Sequence, residues 1–133
     1  MRASRSHAPP TRILLLACLW VLATAATAAQ STQGILDENR SPSRKVGEPD
    51  NRDSHYWFAR YWAKALAEQS SDAELKAHFA PIAEALEGSE AAIVGELAAA
   101  QGKAVDLGGY YHGDAVKTAS VMRPSGTLNG IIG

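Results

Sequence analysis

Cysteine is almost missing from this chain: Cys18 stands alone among 133 residues, inside an apolar leader. A disulfide framework and a cysteine-based zinc site are therefore excluded for the body of the chain. A single thiol fits a reducing compartment without demanding one. The apolar run Ile13–Ala23 is shorter than the about 20 residues that a membrane-spanning helix needs. Basic excess is lacking too. Formal net charge is −1, and it is uneven. Arg2, Arg5 and Arg12 stand without acids, whereas residues 31–133 hold all 14 acidic residues and carry a net charge of −4. A general nucleic-acid binder would instead present a basic face.

Several catalytic signatures are absent. No Gly-x-Ser-x-Gly elbow exists, which excludes the common hydrolase arrangement. Gly108 and Gly109 are not part of a Gly-x-Gly-x-x-Gly fingerprint, so they are assigned to a turn. His55, His78 and His112 have no partner at a metal-ligand spacing such as i, i+4. His55 is expected to pack or hydrogen-bond at the start of an aromatic helix, and His78 to lie on an exposed face.

What is present begins with residues 1–29. Three arginines, an apolar run and Ala-x-Ala patterns at Ala23–Ala25 and Ala26–Ala28 have the form of an export signal. The same arginines permit an organelle transit peptide, or a displaced start joined to a fragment. Residues 30–133 form the body. Its organising stretch is Ser41–Trp62, SPSRKVGEPDNRDSHYWFARYW. Prolines and glycines make Gln30–Asp53 a long loop, with Ile35 and Leu36 ending a short helix from the leader. Structureless loops of that length usually carry function or are disordered.

Helical periodicity follows. Asp53 or Ser54 is expected to cap a helix over Ser54–Gln69, burying Phe58, Tyr61, Trp62, Ala65 and Leu66. Arg60, Lys64 and Glu68 recur on another face, read as solvated. Ser71 with Glu74 reads as a capping box before Leu75, Phe79, Ile82 and Leu86, with Pro81 kinking or restarting the helix. Gly88 ends it. Ser89 then caps a third helix with Ile93, Val94, Leu97 and Ala98 inward, and Gly102 suits its end. Short links make neighbours antiparallel. Lys103–Gly113 reads as loop, Asp114–Met122 as a short helix, and the tail as irregular. The fold class is mainly α: antiparallel helices behind a long N-terminal loop.

One pair suggests ligand chemistry. Arg44 offers a planar fork of donors that matches phosphate oxygens, and Lys45 adds a point charge. Taken alone, the pair reads first as a solvated basic pair beside Glu48 and Asp50, ahead of a ligand site. The aromatic helix reads as core rather than as a base-stacking platform, because its rings follow burial spacing.

From Ile35 onward the chain resembles the C-terminal part of the monomeric-type NADP-dependent isocitrate dehydrogenases. The resemblance runs through LDENRSPSRKVGE (Leu36–Glu48), DNRDSH (Asp50–His55), ARYWAKALAEQ (Ala59–Gln69) and FAPIAEAL (Phe79–Leu86). It continues through IVGELAAAQGKAVDLGGYYH (Ile93–His112) and MRPSGTLN (Met122–Asn129). It implies a piece of the large domain of an α/β dehydrogenase that oxidises isocitrate to 2-oxoglutarate with NADP and Mg or Mn. It also implies a cytoplasmic protein. The catalytic base, the metal-binding aspartates and most isocitrate contacts of the family lie upstream of this segment. No catalytic or metal-ligating residue is therefore assigned here, and the chain alone is expected to show no turnover. A separately supplied upstream segment is a possible partner. In the family the arginine of SPSRK contacts the cofactor's 2′-phosphate, which implies cofactor binding by Arg44 with Lys45 beside it. Two departures bear on that pocket: Pro49 replaces an aliphatic residue and Asp53 a glycine. The rival reading is a non-enzymatic helical binding or structural protein, exported if residues 1–29 act as a signal peptide.

Overall fold

The computed structural model describes residues 25–133. The export-signal expectation therefore falls mostly outside the described residues, which include only 25–29 of that segment. Six helices account for the regular structure, and there is no strand among the described residues. The first, α1, covers residues 25–37. The rest are α2 (Asn51–Glu68), α3 (Ala73–Gly88), α4 (Glu90–Ala99), α5 (Ala115–Met122) and α6 (Gly126–Ile132).

Helix α2 is the centre of the packing, with α3 on one side and α1 on the other. Against α3, the Tyr56 hydroxyl donates to the Leu86 carbonyl at 2.9 Å. Arg60 reaches Glu87 at 3.1 Å and Glu90 at 2.6 Å. The start of α2 thus meets the end of α3, so the pair is antiparallel, as the short link predicts. Against α1, Trp62 Nε1 donates to Thr27 Oγ1 at 3.1 Å, and the Tyr61 hydroxyl to Glu38 at 2.7 Å. Gly34 permits that approach, since a Cβ there would lie 3.1 Å from the Tyr61 ring.

Cover on two sides shifts the buried face of α2. Asp53, Tyr56, Trp57, Ala63 and Leu66 are its buried residues. Of the expected stripe, only Leu66 is fully buried; Phe58, Tyr61, Trp62 and Ala65 lie on half-covered flanks. Arg60 is also not solvated, its side chain being 18% exposed between two carboxylates. Lys64 and Glu68 do face solvent. The core is completed by Ile35, Leu86, Ile93 and Leu97, with Phe79 and Ile82 packed against it. Full burial of one such aliphatic side chain contributes roughly 1.5–3 kcal/mol.

Several expected caps move. Asp50, not Asp53 or Ser54, caps α2, and Asp53 completes a capping box as its third helical residue. Asp72 caps α3 through the Leu75 amide. Ser71 instead bonds Gln69. Helix α3 runs through Pro81 without restarting and ends at Gly88. Ser89 precedes α4, but its side chain makes no cap bond. Within α4, Ile93 and Leu97 are buried, Val94 is half-buried and Ala98 is exposed. The tail is not irregular. Ser125 caps α6, and Glu96 accepts from Ser125 Oγ, the Thr127 amide and Thr127 Oγ1 at 2.6–3.1 Å. Those bonds, the Ser125 hydroxyl first, hold the Glu96 carboxyl below its ordinary pKa. His55, His78 and His112 are all exposed, so His55 does not fill a core position.

Candidate functional site

The loop between α1 and α2 is shorter than expected, spanning residues 38–50. Asn39 takes a left-handed conformation, φ 53°, and ends α1. The Arg40 amide donates to Ile35 and the Asn39 amide to Leu36, a Schellman pattern that satisfies free helix carbonyls. This turn lays the Arg40 guanidinium 3.9 Å above the Trp57 ring. Residues 43–49 then close on themselves. The Ser43 amide donates to the Pro49 carbonyl at 2.7 Å, and the Ser43 hydroxyl to Glu48 at 2.5 Å. Gly47, at φ 89°, supplies a bend that other residues resist. Arg44 and Lys45 sit on the closed turn.

That turn forms one wall of a cleft of about 650 Å³. Arg52 of α2, Gln101 and Lys103 after α4, and Val121 and Met122 of α5 line the remainder. The four cations at the cleft differ in what they already hold. The Arg52 fork is occupied: its Nε and Nη2 bind Asp50 at 2.9 and 2.5 Å, and its Nη1 binds the Val121 carbonyl at 2.9 Å. Lys45 makes an exposed pair with Glu48 at 3.4 Å, a type of contact that contributes little in water. Arg44 and Lys103 have no carboxylate at ion-pair distance among the described residues. Arg44 and Lys103 are thus two cations without a carboxylate partner that line one cleft.

Two carboxylates stand at the start of α2, Asp50 lining the cleft and Asp53 buried behind it. Burial would raise the Asp50 carboxyl, but the Arg52 guanidinium and the Asp53 and Arg52 amides outweigh it and hold the pKa below its ordinary value. Asp53 shows the opposite balance. Burial pushes its carboxyl up, and the bond from the Asp50 amide does not cancel that.

The family model described as monomeric isocitrate dehydrogenase matches residues 17–133. This chain belongs to the monomeric isocitrate dehydrogenase family. Among its relatives, isocitrate dehydrogenase [NADP] of Azotobacter vinelandii is 57% identical over 108 residues, covering 81% of this chain and 15% of the relative. The Corynebacterium efficiens enzyme of the same name is 54% identical over 103 residues, covering 77% and 14% respectively. Isocitrate dehydrogenase [NADP] 2 of Mycobacterium tuberculosis is 52% identical over 95 residues, covering 71% and 13%. The chain thus spans about 15% of the length of the curated relatives it matches.

Within this monomeric isocitrate dehydrogenase segment, the two departures cause no collapse of the loop. Residue 49 is used through its carbonyl, which proline retains. The Asp53 side chain turns inward, 4% exposed, and closes the capping box rather than entering the cleft. Arg44 and Lys45 share one concave surface, as their sequence positions suggest. Sequence reasoning missed Lys103 and Gln101, which reach the same surface from more than fifty residues away. No local motif marks them, because only the packing of α4 against α2 brings them there. No group of three or more His, Cys, Asp or Glu side chains able to hold a metal occurs among the described residues. No helix among them is long and apolar enough to cross a membrane.

Proposed function

We propose that this chain supplies the part of an NADP-dependent isocitrate dehydrogenase that grips the 2′-phosphate of the cofactor. The observation that carries this reading is Arg44, a guanidinium without a carboxylate partner among the described residues, on the wall of a cleft lined by further cations. Arg44 would take two phosphate oxygens through its planar fork, and Lys45 would add charge at the rim. Lys103 would offset charge from the opposing segment. Arg52 would act indirectly, holding Asp50 and the end of α5 so that the cleft keeps its width. Bound NADP would accept a hydride from isocitrate, a step that needs groups the family carries outside this segment. The exposed apolar side chains Val105, Leu107, Tyr110, Tyr111, Val116 and Met122 are where such an upstream portion would pack, since exposed apolar patches mark contact surfaces. We place the protein in the cytoplasm, in line with the resemblance and with the position of Thr27 inside the packed body.

Arg44→Ala tests the central assignment. Charge-assisted hydrogen bonds contribute about 1.5–3 kcal/mol, so NADP affinity should fall at least about tenfold. Affinity for NAD, which lacks the 2′-phosphate, should hold. Equal losses for both nucleotides by calorimetry would reject the assignment.

A further inference from the structure

The cleft depends on one side chain that carries no charge. Gln101 accepts from the Gly47 amide at 2.9 Å through Oε1. Its Nε2 donates to the Glu48 carbonyl at 3.1 Å and to Asp53 Oδ2 at 3.2 Å. The amide oxygen and both amide hydrogens are thereby used. Two of the bonds seize adjacent residues of the Arg44 turn, and the third fixes the first turn of α2. The set continues without a break. Asp53 Oδ2 also accepts from the Asp50 amide, Asp50 holds Arg52, and Arg52 holds the Val121 carbonyl at the end of α5. A glutamine just after α4 thus connects three of the segments that line the cleft.

The rest of the Arg44 turn has little else to hold it. Its remaining bonds are internal, between residues 43 and 49. Val46 is 73% exposed, though it touches the Cβ position of Gly102 beside Gln101. Without Gln101 the turn would keep its shape but lose its fixed place relative to α2 and Lys103. An anion held between two segments loses affinity when the spacing of those segments must be restored on binding.

We propose that Gln101 is a positioning residue for recognition of a nucleotide 2′-phosphate: it fixes the Arg44 turn across the cleft without touching the ligand. This rests on the reading that the cleft takes that phosphate. The test uses the full chain and two probes, adenosine 2′,5′-bisphosphate and adenosine 5′-monophosphate. Their affinities are compared by calorimetry for wild type, Gln101→Met and Gln101→Glu. Methionine keeps the length and removes all three bonds. Glutamate keeps an acceptor for Gly47 but loses both donors and faces Asp53.

Both variants should lose about tenfold in affinity for the bisphosphate, the scale of a forfeited preorganisation, with affinity for the monophosphate unchanged. A merely structural role would lower both affinities together or lower neither. Wild type that fails to prefer the bisphosphate overturns the phosphate reading itself. Wild type that prefers it, beside variants that keep the same preference, overturns only the role of Gln101. Loss of helical circular dichroism in both variants would make Gln101 a folding residue and would also overturn the proposal.

Discussion

Tyr56 links the aromatic cluster to the backbone of a second helix. The last carbonyls of a helix have no partner within it, and Leu86 lies in the last turn of α3. The Tyr56 hydroxyl satisfies that carbonyl in a place where Tyr56 and Leu86 are each 1% exposed. Tyr56→Phe would leave the acceptor buried without a donor, at a cost of about 1–3 kcal/mol. A urea titration should show a lower midpoint with unchanged slope, and an unchanged midpoint would contradict this. Burial, ahead of the neighbouring charges, pushes the Tyr56 phenol up to about 12, and burial with the Glu38 contact does the same for Tyr61. A raised phenol contributes stability that is fully present below its unfolded pKa of about 10. That contribution disappears as pH rises through about 12. Wild type should therefore lose stability across that alkaline window, and Tyr56→Phe should lose less of it.

At the scale of elements, the helices of the body were largely legible and their starts were not. Periodic apolar positions mark α2, α3 and α4 because each has a face to bury. Cap residues crowd together in PDNRDS, and sequence spacing cannot rank them. Asp50 wins because its carboxylate also captures Arg52. The buried face of α2 was misjudged for a different reason: a single stripe assumes one neighbour, whereas α1 and α3 both cover it. Helix α6 was missed because its glycines oppose helix formation locally. Glu96 on α4 compensates from a distance by binding its first turn. Helix α1 carries the sharpest consequence. Thr27 is 4% exposed and holds Trp62, so cleavage near Ala28 would cut the helix and strip a packed residue from the core. Mass spectrometry of the purified protein should find α1 retained. A mature N-terminus at residue 29 would support export and contradict cytoplasmic residence.

At the scale of the whole molecule, the cleft is a product of topology. Arg44 and Lys45 could be nominated from a local motif. Lys103 and Gln101 could not, since their significance arises only when the end of α4 is laid against the loop before α2. The same scale limits the chemistry to be expected. The segment spans about 15% of its relatives, and what resemblance assigns to it is cofactor contact rather than bond-breaking. Purified chain supplied with NADP, magnesium and isocitrate should produce no NADPH above background in a spectrophotometric assay. A measurable rate would refute that division of labour.

Contact between the Arg44 side chain and the extra phosphate is the central feature of this cleft as a cofactor site. Phosphorus NMR of NADP titrated with the chain measures this most directly, because the 2′-phosphate has its own resonance. Wild type should shift and broaden that signal, and Arg44→Ala should leave it where free NADP has it. The same perturbation from both proteins would show that Arg44 does not hold the phosphate.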